Sequence, residues 1–186
     1  MKIIEKFMTR NDCYQADRQI TPRGIMVHST ATPGVMAGAW FEKWNKSYRA
    51  KETGRQVCVH AFLDDKEIYQ YLPWNHRAWH AGGAANETHI GFEICEPAGF
   101  TYNGVQMIGY DAKRYDEYFR KAFQHAAQLC AYLCREFYLS EKDIITHCEG
   151  YQLGIASNHA DVMHWFPKHG EDMDRFRAAV KKLLSE

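Results

Sequence analysis

The residues that could perform chemistry in this chain are histidines and acidic residues placed far apart in the sequence. His28 and His147 each close a short apolar run, and His159 and Asp161 lie in the polar stretch after the second run. Catalytic zinc sites take three ligands from His, Cys, Asp or Glu and leave a fourth position for water. Two histidines at strand ends and an aspartate on a loop meet that requirement. Ordinary, partly buried histidines would show the same spacing, so residue types alone leave both interpretations open.

A carboxylate in the middle of a predicted strand is the second candidate for chemistry. In the sequence HIGFEIC, residues 89–95, Ile90, Phe92 and Ile94 alternate with other residues and place Glu93 on the opposite face. Burying a carboxylate without a partner costs free energy, which suits a residue that faces a cleft. A solvent-facing glutamate would give the same pattern.

A cysteine nucleophile is the rival chemistry, with Cys95 paired to a histidine. A reactive cysteine needs an electropositive setting, whereas Cys95 follows Glu93 and precedes Glu96. Glu96, at the strand's end, is expected to be a surface or capping group. The six cysteines include no CxxC pair and no regular spacing, so no disulfide framework is predicted. The motifs HExxH, GxSxG and GxGxxG are absent as well.

The elements that must position these residues are predicted from hydrophobic periodicity. Helical spacing of apolar residues is found over 35–50 and 112–137, and Asp174 is a candidate N-cap for a last helix. Ser140 with Asp143 is expected to cap a single turn. Strands are predicted at 24–30, 57–63, 67–72, 89–95 and 144–146, with the second and third forming a hairpin, while residues 148–170 are expected to be irregular. This pattern predicts one α/β domain over residues 1–186, with helices on a central sheet.

The composition excludes several classes of function. Of the 186 residues, 46% are hydrophobic, enough for one core, and 23 basic residues balance 23 acidic ones, so nothing favours nucleic acid or an anionic membrane surface. No apolar run approaches the 18 or so residues of a membrane span. Residues 1–10 are charged and lack the apolar stretch of a secretory signal. We therefore expect a monomer that is made in the cytoplasm and carried outward by another agent.

Five local sequences together carry a family resemblance, in the order GIMVHSTATP, VHAFLDDKEIYQYLP, RAWHAGG, IGFEICE and ITHCEGYQLGIASNHADVMHWFP. They resemble the zinc-dependent N-acetylmuramoyl-L-alanine amidases of the type 2 class, which includes phage endolysins, bacterial autolysins and animal peptidoglycan recognition proteins. The resemblance covers about residues 20–180. It implies a central mixed β-sheet flanked by helices, a bound Zn²⁺ ion, and hydrolysis of the amide bond between N-acetylmuramic acid and L-alanine in peptidoglycan.

The resemblance also assigns the metal ligands. His28 of VHST and His147 of ITH match the first two zinc ligands, and Asp161 of NHADVMHWF matches the third. His159 is the rival for the third place, because residues two apart on an extended segment share a face. We prefer Asp161, since family members carry a basic residue, commonly lysine, where His159 stands. His159 is therefore expected to stabilise the oxyanion, although a histidine need not be charged at pH 7.

Further roles follow from the same resemblance. Glu93 matches the catalytic acidic residue and is expected to accept the proton of the attacking water. His80 of RAWHAGG matches a histidine beside the zinc that touches substrate. His60 is expected to be structural or to contact a ligand histidine. His164 is close to Asp161 in sequence, so a supporting role beside a ligand and an ordinary histidine without a role both stay open. Trp40, Trp74 and Trp79 are expected in the core or in the walls of a groove.

The expected function is thus lysis of the bacterial cell wall. The missing signal segment favours a phage endolysin, with a bacterial autolysin as the alternative. A binding module without catalysis is a further alternative, but such members tend to lose the third ligand or the acidic residue, and both Asp161 and Glu93 are present.

Overall fold

The computed structural model describes residues 2–186, and a six-stranded sheet forms its centre. The strands follow the order β1-β4-β3-β5-β2-β8. All neighbours are parallel except β3 and β4, so the sheet is mixed, as predicted. A separate hairpin is formed by β6 and β7. The strand bounds are β1 Ile3–Glu5, β2 Gly24–Ser29, β3 Ala61–Leu63, β4 Ile68–Gln70, β5 His89–Ile94, β6 Thr101–Asn103, β7 Gln106–Ile108 and β8 Ile144–Thr146.

Five α-helices accompany the sheet in the described residues, and two of them are long. The long helices are α3 and α5, whose apolar sides join the strands in the largest core cluster. None of the helices in residues 2–186 combines the length and apolar character that crossing a bilayer requires. The helix bounds are α1 Asp12–Ala16, α2 Trp40–Trp44, α3 Asp116–Phe137, α4 His147–Gln152 and α5 Met173–Leu184.

The central strands divide their side chains between two faces of the sheet. In β2, Ile25 and Val27 pack into the core that α3 and α5 cover. Met26 lies on the other face, in a smaller cluster with Ala81 and Ala85. Because successive side chains alternate, His28 shares the face of Met26. The second face, covered by irregular segments rather than long helices, is therefore the one that carries the chemistry.

The sequence-based strand predictions are confirmed in place, with small changes of length. The predicted strand 24–30 is β2, and 89–95 is β5. The hairpin 57–63 with 67–72 is present as the shorter antiparallel pair β3 and β4. Ser140 and Asp143 form the expected capping box around a single turn before β8.

The helix predicted over 35–50 is wrong in extent, since α2 ends at Trp44. The cause is Asp12, whose buried carboxylate draws the following segment into a turn. It accepts hydrogen bonds from Ser47 Oγ at 2.6 Å, from the Tyr48 N–H at 3.0 Å and from the Arg49 N–H at 3.1 Å. Backbone N–H groups held by a side chain in this way are no longer available to a helix.

Two further helix boundaries differ from the prediction. The last helix is capped by Asp172, which accepts from the Arg175 N–H at 2.8 Å, and Asp174 lies inside its first turn. The stretch expected to be irregular begins with α4, because Thr146 and Glu149 form a capping box there. His147 therefore opens a helix rather than closing a strand.

Candidate active site

Three adjacent parallel strands deliver the candidate residues to one edge of the sheet. His28 is the penultimate residue of β2, and Glu93 is its register partner on β5. β8 pairs with the other side of β2, and His147 follows it directly at the first turn of α4. Ligand sites of open α/β sheets lie beyond the carboxyl ends of parallel strands, which is where these side chains meet.

The three predicted metal ligands form a compact triangle of donor atoms. His28 Nδ1 lies 3.0 Å from Asp161 Oδ2 and 3.1 Å from His147 Nδ1, and His147 Nδ1 lies 3.7 Å from Asp161 Oδ2. Tetrahedral zinc with bonds of about 2.0–2.1 Å places its ligand atoms about 3.3 Å apart. Two imidazoles and a carboxylate are also a donor set that zinc accepts. The residues present fit a zinc ion.

Both histidines of the donor triangle are supported by other polar groups. His28 Nε2 lies 2.8 Å from Nδ1 of His80, whose own Nε2 is 3.2 Å from the His89 carbonyl oxygen. His147 Nε2 lies 3.2 Å from Ser157 Oγ. Ser157 was not singled out by the sequence, because a serine without a motif carries no signal of its own.

Two of the three groups in the triangle, Asp161 and His147, have charge states that suit metal binding. Burial alone would raise the pKa of Asp161, but the hydrogen bond with His28 and the charges of His28 and His147 lower it. Burial, reinforced by the nearby charge of His28, lowers the pKa of His147 to about 4. The aspartate is therefore ionised and His147 is neutral at pH 7, as metal ligands must be. Burial opposes the shift at His28, but the hydrogen bond with Asp161 and the charges of Glu93 and Asp161 raise its pKa, so this histidine must give up a proton to bind a metal.

Glu93 stands beside the triangle with one oxygen unengaged. Its Oε2 atom is buried and has no hydrogen-bond partner. Burial raises the pKa of Glu93 to about 7, while the charge of His28 opposes that rise. A carboxylate with such a pKa can take up and release a proton at neutral pH, which is what general acid–base work requires.

His159 lies at the rim of the site. Its side chain is exposed, its ring centroid is 4.3 Å from that of His147, and its Nδ1 lies 3.1 Å from Ser157 Oγ. The donor triangle is formed by His28, His147 and Asp161 without it. The structure thus brings together all six residues that the sequence singled out for the site, with His80 behind the triangle and His159 in front.

A cleft of about 610 Å³ opens over these residues. Trp40 and Trp79 belong to its walls, whereas Trp74 is part of the main core. The β6–β7 hairpin contributes Tyr102 and the exposed Val105 on one side. The cleft has the volume and the mixed polar and apolar lining to accept an extended ligand, and the donor triangle and Glu93 are part of that lining.

Comparison with known proteins identifies the family. A family model described as N-acetylmuramoyl-L-alanine amidase matches residues 18–167, most of the chain. The chain belongs to this family. It is 31% identical to the N-acetylmuramoyl-L-alanine amidase XlyA of Bacillus subtilis (strain 168) over 150 residues, which cover 79% of this chain and 43% of XlyA. The chain therefore spans less than half the length of that relative.

Solved structures agree with this assignment. This chain resembles the catalytic domain of XlyA with a TM-score of 0.66 and 27% identity, covering 97% of this chain and 99% of that domain. A mutant endolysin from Bacillus subtilis gives a TM-score of 0.65 and 28% identity, with 97% and 99% of the two chains covered. The predicted family and the predicted α/β fold are both confirmed.

The expectation that Glu96 is a surface or capping group is wrong. It is fully buried rather than at the surface, and its Oε2 accepts from the Tyr102 hydroxyl at 2.9 Å. The Tyr102 hydroxyl also lies 2.8 Å from His164 Nε2, so His164 contacts this pair. The alternation along β5 already placed Glu96 on the apolar face; its position at the strand's end was the misleading cue.

The structure does not support Cys95 as a catalytic nucleophile. Cys95 is completely buried in the small core with Phe62 and Tyr71. Burial, followed by the charges of Asp64 and Glu93, raises the pKa of the Cys95 thiol well above its usual value. A nucleophilic cysteine needs a lowered pKa and access to substrate, and Cys95 has neither.

Proposed function

We propose that this chain cuts the amide bond between N-acetylmuramic acid and L-alanine in peptidoglycan, using a zinc ion held by His28, His147 and Asp161. The observation that carries the proposal is the donor triangle, with edges of 3.0, 3.1 and 3.7 Å, beside the unpaired carboxylate of Glu93 in an amidase-family cleft. Zinc in such a site supplies Lewis-acid chemistry that activates water and polarises the scissile carbonyl.

Glu93 is the proton acceptor in this proposal. Its free Oε2 takes the proton of the attacking water as the water adds to the lactyl carbonyl. With a pKa of about 7, raised by burial, the same carboxyl group can then return the proton to the departing L-alanine nitrogen. His159, exposed at the rim, is placed to donate a hydrogen bond to the oxyanion when it is protonated.

The walls of the cleft suit a muramyl peptide. Tryptophan faces such as Trp79 offer apolar surface to a sugar ring or an alanine methyl group. A smaller cavity of about 240 Å³, which shares Trp44 and Arg55 with the main cleft, also has Lys43 and Lys46 in its lining. These cations would attract the carboxylates of a stem peptide, which gives the peptide a direction in which to lie.

The biological role that we propose is lysis of the cell wall by an endolysin-like enzyme, with a bacterial autolysin as the alternative. The endolysin reading is supported by likeness to a solved structure named as a mutant endolysin. A binding module without catalysis is disfavoured, because the third ligand, Asp161, and the acidic residue, Glu93, are both in place at the site.

Product analysis tests the proposed bond. Digestion of purified peptidoglycan should release new N-terminal L-alanine and no new reducing sugar ends, and Glu93→Gln serves as the inactive control. Reducing ends that rise with lysis would show a glycosidase instead. Zinc is tested separately by exhaustive chelation and metal restoration, since full activity in metal-free protein would overturn the role of the metal.

A further inference from the structure

We propose that His80 is a positioning residue that fixes the tautomer and ring orientation of His28, and that Gly91 provides the space for it. The inference rests on the proposed zinc site and extends it to two residues, His80 and Gly91, that are not among the proposed ligands. In that role His80 acts through His28, in contrast to the substrate contact expected from the sequence.

The hydrogen-bond chain behind His28 has a fixed direction. The carbonyl oxygen of His89 can only accept, so the Nε2 atom of His80, 3.2 Å away, must carry the proton and donate it. In the neutral ring Nδ1 is then an acceptor, and it lies 2.8 Å from His28 Nε2. His28 therefore donates from Nε2, which leaves Nδ1 as the ligand atom once a metal displaces the proton that it shares with Asp161.

Nδ1 of His28 is the nitrogen that the metal needs. His28 Nδ1 is the atom at the corner of the donor triangle, 3.0 Å from Asp161 Oδ2 and 3.1 Å from His147 Nδ1. Ligand histidines usually donate their second ring nitrogen to a carbonyl, carboxylate or water, which sets tautomer and orientation. Here a second histidine takes that place. Both nitrogens of His80 are engaged, so it has no polar atom left for a substrate.

The turn that carries His80 is itself held firmly. Asn86 is 2% exposed, and its Oδ1 accepts from the backbone N–H groups of His80 at 2.9 Å and Ala81 at 2.8 Å. The Ala81 carbonyl in turn accepts from Ser157 Oγ at 3.2 Å, and Ser157 contacts His147. One turn thus supports both ligand histidines from behind.

Gly91 leaves room for the ring of His80. A Cβ atom at this position would lie 2.4 Å from His80 Nδ1 and 2.5 Å from its Cγ. Gly91 lies within the regular strand β5, where its φ is not among the positive values of the chain. The backbone therefore does not require glycine at position 91; the neighbouring imidazole does.

Zinc affinity, measured by competition with a chromophoric chelator, tests the proposal without reference to activity. His80→Ala should weaken zinc binding about 10–100-fold, the usual cost of losing an outer partner of a ligand histidine. His80→Asn should restore most of the affinity, because its amide oxygen can accept near the position of Nδ1. His164→Gln, a change in the same cleft away from the ligands, should leave zinc affinity unchanged.

Gly91→Ala provides a second test of the proposal that leaves His80 itself unchanged. It should weaken zinc binding as much as His80→Ala does, although it removes no polar atom. The double variant should bind zinc no more weakly than His80→Ala alone, since the displaced ring is then absent. Zinc affinity within twofold of the unmodified protein in His80→Ala, or additive losses in the double variant, would overturn the proposal. Absence of zinc from the unmodified protein would instead refute the proposed function.

Discussion

At the scale of single residues, the carboxylates of Asp161 and Glu93 lie in one cleft but differ in their surroundings, which suits them to different roles. Asp161 is hydrogen-bonded to His28 and its pKa is lowered. Glu93 has a buried oxygen without a partner, and burial raises its pKa to about 7. Carboxylates whose environments drive their pKa values apart mark the separate acid–base and electrostatic roles of an active site.

Glu93→Gln and Asp161→Asn should therefore fail in different ways. Glu93→Gln keeps shape but removes basicity, so zinc content should stay near that of the unmodified protein while the rate falls on the order of 10²–10⁴. Asp161→Asn should lose zinc, because an amide oxygen is a poorer ligand than a carboxylate. Metal analysis and single-turnover rates measure the two effects. Zinc loss in Glu93→Gln would mean that Glu93 is a ligand.

His159→Ala separates the rival assignments of the third ligand. Because the donor triangle is complete without His159, the variant should retain zinc and lose rate alone. The measurement is again zinc content against turnover, with His125→Ala as a control histidine that bonds the Asp64 carbonyl, outside the cleft. If His159→Ala empties the site while Asp161→Asn keeps its metal, the two residues must exchange roles.

The lowered pKa of buried His60 predicts that the free energy of unfolding depends on pH. Burial lowers its pKa from 6.5 to about 4, and its Nε2 donates to the His76 carbonyl at 2.8 Å. Between these pH values the unfolded chain binds a proton that the folded one does not, so this contribution to stability is present above pH 6.5 and is lost as the pH falls. The expected slope is about 1.4 kcal/mol per pH unit.

Denaturant unfolding of the unmodified protein and of His60→Gln, at the same excess of zinc, checks this. The difference in unfolding free energy between the two proteins should shrink as the pH falls from about 6.5 to 4, since glutamine does not titrate. Comparing the two at each pH cancels the titration of the metal ligands, which both share. A difference that is constant with pH would contradict the prediction.

At the scale of elements, the central strands were predictable, whereas β1 and the β6–β7 hairpin were not. A short buried run indicates β2 and alternation indicates β5, and their parallel pairing explains why His28 and Glu93 meet. A strand that is buried on both faces leaves a strong local pattern. The α3 stripe was found for the same reason, because its apolar residues recur at helical spacing.

The elements that the sequence did not predict are those decided by distant partners. α2 stops early because the Asp12 carboxylate accepts hydrogen bonds from the backbone N–H groups of Tyr48 and Arg49, 36 and 37 positions away in sequence. The β6–β7 hairpin is short, with Tyr102 tied to Glu96 and His164. Neither contact is visible in local periodicity. Ser157 was missed on the same ground, since only folding places it between His147 and His159.

We expect the N-terminal cap of α4 to contribute to zinc affinity as well as to the free energy of unfolding. Thr146 Oγ1 accepts from the Glu149 N–H at 3.1 Å, and this cap fixes the turn on which His147 stands. Thr146→Ala should lower the unfolding free energy by about 1 kcal/mol and also weaken zinc binding. Ser140→Ala removes a capping box of the same kind, outside the cleft, and should cost stability alone. Equal zinc affinity in both variants would refute the link.

At the scale of the whole molecule, the proposed zinc site joins parts of the chain that are far apart in sequence. Its ligands come from β2, from the start of α4 and from the loop before the Phe166–His169 turn, and the contacts of His28 with His147 and Asp161 span 119 and 133 positions. The long helices α3 and α5 pack on the opposite face of the sheet, and Arg177 of α5 pairs with Glu149 in the first turn of α4. A metal ion here would add a cross-link between segments that are already joined by the pairing of β2 with β8 and by the hydrogen bond from the Cys148 N–H to the Asp161 carbonyl.

Zinc should therefore raise the thermal stability of the entire domain, because an ion that binds only the folded state stabilises it by mass action. At free zinc 100 times its dissociation constant the gain is about 2.7 kcal/mol, which raises Tm by roughly 5–11 °C in a chain of this size. Scanning calorimetry with a zinc buffer and with a chelator measures the shift, and a series of zinc concentrations should move Tm logarithmically. His28→Ala provides the control, since it should unfold at nearly the same temperature in both buffers. If zinc binds the unmodified protein but does not change its Tm, the unfolded chain must bind zinc equally well.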